Sequence, residues 1–407
     1  MHIVQIEDFF HPNAGYQVNV LSQFFSRAGN KVTIITAELE KIPDSLTAFF
    51  GKDNVAESDK VYEEKYAVKI IRVPVRKYIS GRVWFSNDIF RIVDELKPDV
   101  LYVHGNDTLI AIQYFFKLGR IPYAVVSDSH MLEMASQNKF NKLFRAFYRT
   151  FITPKLVKYH VPVIRTQDDP YVKKCLGIPL ENCPWISFGS DTTLFHPCES
   201  EKKEFRERNG INKDAFVVVY AGKLDEGKGG LLLAEAFKKR ISEKREVVLL
   251  VVGNTVGEYG KKVEEIFSES ENRIIRYPAQ QYVNLSPFYQ ASDLAVFARQ
   301  CSLSFYDVQA CGLPVIAEDN NINIARCSHL NGECFDSGNI DALIHVIRKF
   351  AEMPENELKN FSKNSVSFIQ NGYDYADKSK EYLEIINSAY SIQMRDKSII
   401  SCNKSFL

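Results

Sequence analysis

No stretch of this chain approaches the roughly 18 apolar residues that a membrane-spanning helix needs, so a transmembrane protein is not expected. Charge of one sign is also missing: 51 Lys and Arg are cancelled by 51 Asp and Glu. That balance argues against attraction of the whole molecule to nucleic acid and leaves only a local basic patch open. The eight cysteines (Cys175, Cys183, Cys198, Cys301, Cys311, Cys327, Cys334 and Cys402) include no CxxC pair and no histidine at zinc-finger spacing. They read as reduced thiols, with no structural metal. The opening MHIVQIEDFF places Glu7 and Asp8 where a secretory leader would need apolar residues, so no leader is read there. What is present is a core-forming composition, 45% hydrophobic and 25% charged. At roughly 150 residues per domain, 407 residues make two domains the natural expectation. The cytoplasm is the expected compartment.

Along the chain, HIVQIE is a short apolar run of the kind that forms a buried parallel strand. A turn with Pro12, Asn13 and Gly15 follows, then a helical pattern from Gln17 to Ala28, a stop at Gly29, and the strand KVTIITAE. This βαβ rhythm continues through AVKIIRVPV, DVLYVHG, YAVVSDSH and VPVIRTQ. Residues 191–212 lose the strand signal and become highly charged. The rhythm then restarts with AFVVVYAG, EVVLLVVG, RIIRYPA, DLAVFA and LPVIAE. The expected class is α/β, with two Rossmann-like, doubly wound parallel-sheet domains facing a cleft. The boundaries fall at 1–195 and 196–373, followed by a helix over 374–392 and a frayed tail at 393–407.

Ligands of such sheets sit beyond the carboxyl ends of the strands. Two segments there carry chemistry. The first is Gly222-Lys223-Leu224-Asp225-Glu226-Gly227-Lys228-Gly229, two lysines five residues apart on a glycine-rich loop. They suit a diphosphate, whose charge they would neutralise. A solvated turn with charged tips explains the same composition equally well, and the loop is not a Walker A motif. The second is RQCSLSFYDVQACGLPVIA from Arg299. Ser302 and Ser304 could cap a short helix whose Asp307 could accept hydrogen bonds from a ribose, or serve only as a partner of the helix dipole.

These segments carry a family resemblance that spans residues 1–390. Asn13-Ala14-Gly15 resembles a glycine loop, Gly29-Asn30-Lys31-Val32 resembles GHxV, and Lys97-Pro98-Asp99-Val100 with His104 resembles KPDVVHxH. Ser127-Asp128-Ser129-His130 ends a strand where the family has its active-site histidine. Phe188-Gly189-Ser190-Asp191, with Phe195 and Pro197, resembles NGVDxxxFxP. Gly222-Lys223 with Lys228-Gly229 resembles GRLxxxKG, and Ala310-Cys311-Gly312-Leu313-Pro314-Val315-Ile316 matches ACGxPVI. The chain resembles the family-4 retaining glycosyltransferases of the GT-B fold (glycosyl transferases group 1).

The resemblance implies transfer of a sugar from a nucleotide diphosphate sugar, by family habit a UDP-sugar, to a polysaccharide or lipid-linked glycan, with no metal and no other cofactor. It implies catalytic roles for His130, Lys223 and Lys228. The donor would lie on Gly15, Gly222, Lys223, Lys228, Tyr277, Arg299, Gln300, Ser302, Leu303, Ser304 and Asp307 in the C-terminal half, apart from Gly15. Asn13, His104 and Asp128 would line the acceptor side in the N-terminal half, to which the 374–392 helix would cross back. Two departures stand out: Arg299 and Asp307 occupy the places of the family's paired glutamates, and Lys223 that of an arginine. Arg299 keeps a second reading open, a catalytically weak nucleotide-sugar-binding subunit serving a partner transferase; a nucleotide-sugar epimerase is a third. His104 reads equally well as a satisfied structural histidine.

Residues 139–158 hold Lys139, Lys142, Arg145, Arg149, Lys155 and Lys158, and no acid. Phe140, Phe144, Phe147 and Phe151 recur at helical spacing, and Pro154 should close or kink that helix. The expectation divides: the aromatics pack into the first domain, and the charges meet an anionic membrane surface, which would make the protein peripheral to the inner face.

Overall fold

The computed structural model describes residues 1–41, 54–79, 81–132, 140–299 and 304–404. It divides into two units, Met1–Phe188 with Ala376–Leu407, and Gly189–Tyr375. The division lies at 188/189, seven residues before the 195/196 boundary read from the sequence. The reason is a pair of main-chain bonds. Ser190 N–H donates to Tyr373 C=O at 2.8 Å and Tyr375 N–H to Ser190 C=O at 2.9 Å, which ties the chain's first entry into unit 2 to its exit.

Unit 1 contains β1 (His2–Glu7), β2 (Lys31–Ala37), β3 (Val68–Val73), β4 (Val75–Ile79), β5 (Arg82–Phe85), β6 (Val100–Val103), β7 (Ala124–Ser129) and β8 (Val163–Arg165). Six of them form a parallel sheet in the order β3-β2-β1-β6-β7-β8, while β4 and β5 pair as a separate antiparallel hairpin. Burial on both faces explains the unbroken apolar runs: Ile3, Val4 and Ile6 are fully buried, as are all four residues of β6. Gln5, equally buried, donates its amide to Ser22 Oγ at 2.7 Å, so its polarity is satisfied inside the layer.

Unit 2 repeats the plan with β9 (Phe216–Ala221), β10 (Val247–Val252), β11 (Arg273–Tyr277), β12 (Leu294–Phe297), β13 (Val315–Glu318) and β14 (Gly332–Phe335), in the order β11-β10-β9-β12-β13-β14. In each sheet the winding direction reverses at one place, between β1 and β6 in unit 1 and between β9 and β12 in unit 2. Loops there diverge to opposite faces and leave a crevice, the usual ligand position of such sheets.

The last helix runs Tyr375–Lys404, longer than the 374–392 expected, so residues 393–404, read as part of a frayed tail, continue it, while 405–407 lie outside the described residues. Gln393 anchors it to unit 1. Its amide accepts from Val125 N–H at 2.9 Å and donates to Val125 C=O at 2.8 Å. Val125 lies on the part of β7 that the three-residue β8 does not reach, so a side chain completes the strand edge. Tyr382, fully buried, reinforces the docking by accepting from Gln17 Nε2 at 2.5 Å.

Candidate active site

In unit 2, Ala221 ends β9 and the chain turns at Gly222, whose φ is +155°. The neighbouring strand end comes so close that a Cβ on Gly253 would lie 1.9 Å from the Gly222 carbonyl oxygen. Glycine at 253 is therefore obligatory. Tyr220 O–H donates to the Lys223 carbonyl at 2.5 Å. Asp225 then caps a short turn by accepting from Lys228 N–H at 2.9 Å, a local bond characteristic of Asp at helix starts. Gly229, at φ +74°, packs under Arg299: a Cβ there would meet Arg299 Cγ at 3.0 Å. Arg299 is exposed, and its Nη1 donates to the Glu226 carbonyl at 3.3 Å. Gly222, Lys223, Lys228 and Arg299 thus share one strand-end loop cluster at the crevice between β9 and β12.

Other expected donor residues fall differently. Tyr277 is committed to packing: its ring lies 4.9 Å from Phe288 and 6.0 Å from Phe205 by centroids, and its hydroxyl donates to Asn209 Oδ1 at 2.6 Å. Its ring and hydroxyl are therefore partly engaged within unit 2, although the residue is only half-buried. Asp307 is 2% exposed, and a single oxygen, Oδ1, accepts from Ser190 Oγ at 2.8 Å and Tyr282 O–H at 3.3 Å. Burial pushes its carboxyl up to about 8, although the two donors pull it back. It is therefore mostly protonated at neutral pH, not the open carboxylate read from the sequence. Ser304 begins the Ser304–Ala310 helix, whereas Gln300, Ser302 and Leu303 lie outside the described residues.

In unit 1 the strand ends converge on Asp128, fully buried at the end of β7. Its Oδ2 accepts from Tyr102 O–H at 2.9 Å and faces His104 Nδ1 at 2.8 Å. Its Oδ1 accepts from Gly105 N–H at 2.7 Å and faces His130 Nε2 at 3.3 Å. Burial alone would raise this carboxyl, but the adjacent His130 and His104 outweigh it and hold Asp128 far below the usual carboxylate range. His104 is 2% exposed and its other nitrogen meets Gln5 Oε1 at 2.9 Å. Both residues are internal supports and not acceptor contacts, because β6 and β7 carry them into the sheet interior.

His130 is the group this network presents outward, with its side chain 41% exposed. Thr166 Oγ1 spends its proton on the Ser129 carbonyl at 3.1 Å, so it accepts from His130 Nδ1 at 3.2 Å. With Asp128 on Nε2, both ring nitrogens act as donors, the arrangement of an imidazolium. Desolvation opposes that charge, yet Asp128, with Glu7 and Asp107 behind it, raises the His130 pKa. Phe188 stacks on the ring at 5.5 Å. The arrangement suits a fixed positive charge better than a free base.

The sequence reading missed two neighbours at the end of β1, although an acid at a strand's carboxyl end was a visible signal. Burial raises Glu7, and it pushes Asp8 up to about 7. Asp8 Oδ2 accepts from Val83 N–H at 3.1 Å, and Asp8 Oδ1 is buried with no hydrogen-bond partner among the described residues. Gly15 and Asn13 occupy the half-buried loop that follows, where Asn13 N–H donates to His11 Nδ1 at 3.2 Å.

Residues 201–368 match the family model of the glycosyl transferases group 1. The match lies within the second unit and spans less than half of the chain. A D-inositol 3-phosphate glycosyltransferase of Segniliparus rotundus is 29% identical over 158 residues, 37% of this chain and 34% of that protein. The curated relatives are matched over only 32% to 58% of their own length. Among solved structures, a glycosyltransferase from Rickettsia africae superposes with a TM-score of 0.73 at 15% identity, covering 95% of this chain and 98% of that one. HepE of Anabaena, solved in complex with UDP and glucose, gives 0.72 at 16% identity over 95% and 100%. The fold is GT-B, and the match to the group 1 model lies in its C-terminal half.

Proposed function

We propose that the chain is a retaining, metal-independent glycosyltransferase that moves a sugar from a nucleotide diphosphate sugar, a UDP-sugar as first choice, to a polysaccharide or lipid-linked glycan acceptor in the cytoplasm. The observation that carries this reading is the glycine-shaped loop that places Lys223 and Lys228 beyond the end of β9, at the switch point of unit 2. Cations there would offset the negative charge that accumulates as the bond between the sugar's anomeric carbon and the diphosphate breaks. The acceptor hydroxyl forms the new bond on the same face, and its proton passes to the departing phosphate. Unit 1 would contribute the acceptor side, with Glu7 and Asp8 offering hydrogen bonds and His130 a held positive charge. UDP in the complex of a structural neighbour supports the choice of nucleotide.

The exposed Arg299, where the resemblance expects a glutamate, favours the second reading of a nucleotide-sugar-binding subunit with little turnover of its own. The test is to offer the protein UDP-, GDP- and ADP-sugars with EDTA present, and to read thermal shift alongside release of nucleotide diphosphate onto extracted glycan and lipid acceptors. Release that persists in EDTA and falls at least about a hundredfold in Lys228→Ala is the expected result. Binding without release would replace the transferase by the subunit reading, and absence of both would overturn each.

A further inference from the structure

The basic segment after residue 139 folds as the helices Asn141–Phe147 and Thr153–Lys158 joined by a π-turn over Tyr148–Ile152. Lys139 lies outside the described residues. Pro154 does not end the segment. The wide turn before it accommodates the missing N–H, and two rows continue at a spacing of four. Tyr148, Ile152 and Leu156 point inward, each fully buried. The outward row is apolar too: Leu143 is 71% exposed and Phe151 54%, with Phe147 between them and Phe140, 73% exposed, one turn earlier. Phe116, 46% exposed on the Leu109–Lys117 helix, joins the row through Phe147, at 6.3 Å between ring centroids. The expectation that these aromatics fill the core therefore holds only for the half-buried Phe144 and Phe147, because the core is filled by the row beside them.

We propose that this face of unit 1 docks on an anionic lipid surface, with Phe140, Leu143 and Phe151 entering the headgroup layer and Lys142, Lys155 and Lys158 meeting its phosphates. The charge pattern selects that occupant. Residues 134–167 contain no Asp or Glu, and Lys142, Lys155 and Lys158 form no ion pair among the described residues. A second copy would bring the same basic rim against this one, and like charges facing each other disfavour such a self-pairing. Aromatic and aliphatic tips ringed by lysines match the apolar boundary and negative potential of an acidic membrane. The inference does not depend on the transfer reaction, since docking needs no nucleotide.

The test is flotation of the full chain, without nucleotide, with vesicles of phosphatidylcholine alone and with vesicles that also contain phosphatidylglycerol. Binding to the acidic vesicles only, weakened by salt, is expected. Leu143→Ser with Phe151→Ser should weaken it by about tenfold or more, since each change removes an inserted apolar group. Lys142→Glu with Lys158→Glu should do the same. All four sites are exposed, and an unchanged melting temperature checks that the fold survives. Failure to bind acidic vesicles, or binding that the variants leave unchanged, overturns the assignment. So does sedimentation showing a dimer that Leu143→Ser with Phe151→Ser converts to monomer, which would give the face to a second copy.

Discussion

Replacing Asp307 by Asn should make unit 2 more stable, and increasingly so as pH rises. The folded carboxyl titrates at about 8 against an ordinary value of 3.8. Between those values the folded chain holds a proton that the unfolded chain has released, so stability falls as pH climbs through that window and levels off above it. Asparagine has no such proton, and its amide oxygen can still accept from Ser190 and Tyr282, which both donate to the same atom of Asp307. From pH 5 to pH 8, at 1.36 kcal/mol per pH unit and with the folded group half-titrated at the upper end, the gap between variant and wild type should widen by about 3.5 kcal/mol. For a unit of this size that corresponds to a melting-temperature difference growing by roughly 6 °C or more. Scanning calorimetry of both proteins at several pH values reads it directly. Any repacking offset is the same at every pH, so the slope is what counts. A difference that stays flat, or shrinks with rising pH, would mean Asp307 is ionised in the folded protein and would refute its placement as a buried acid.

Asp128→Asn should lower the His130 pKa, because Asp128 is the chief group that raises it. If transfer uses the imidazolium, activity falls as pH rises through that pKa, and this limb should move to lower pH by about one unit or more; an unmoved limb would remove His130's charge from the reaction. Gly253→Ala forces a Cβ against the Gly222 main chain and should cost on the order of 3 kcal/mol or more, with nucleotide binding lost in parallel. Gly257→Ala is the control: its φ is +67° but nothing lies within 4 Å, so only backbone strain of about 1 kcal/mol is expected, with binding retained. Equal losses in the two variants, read by denaturant melts and nucleotide titration, would contradict the close strand-end approach.

The two sheets were legible because strands buried on both faces must be apolar over their whole length, and HIVQIE, DVLYV, FVVVYA and EVVLLVV are. Glycines at strand ends were legible for a similar reason: Gly222 and Gly229 adopt backbone angles that a side chain disfavours. Local chemistry of this kind needs no partner far along the chain, so Lys223 and Lys228 could be placed on one glycine loop from sequence, whereas Arg299 was read on a second segment and only folding brings it against Glu226 and Gly229. The exposure of each side chain could not be read the same way. Asp307 is buried because Ser190, 117 residues earlier, turns toward it, and Tyr277 is partly engaged because Phe205 and Phe288 pack against it. Asp128 reads as an acceptor contact, and His104 as either that or a structural histidine, until β6 and β7 pair and bring Gln5, Tyr102 and His130 around them.

The sequence by itself determined most of the parallel strands, their division between two units and the loops on which a ligand would lie, since these follow from periodicity, glycine and short-range capping; the antiparallel β4–β5 hairpin was not among them. Tertiary structure alone decided which acids are protonated, which histidine reaches solvent, and that Gln393 completes the edge of β7 across 268 residues. It also turned Leu143 and Phe151 outward, where a helical wheel shows only that they share a face. Protonation and exposure depend on desolvation and on partners that folding brings together from distant parts of the chain, and no local pattern encodes those.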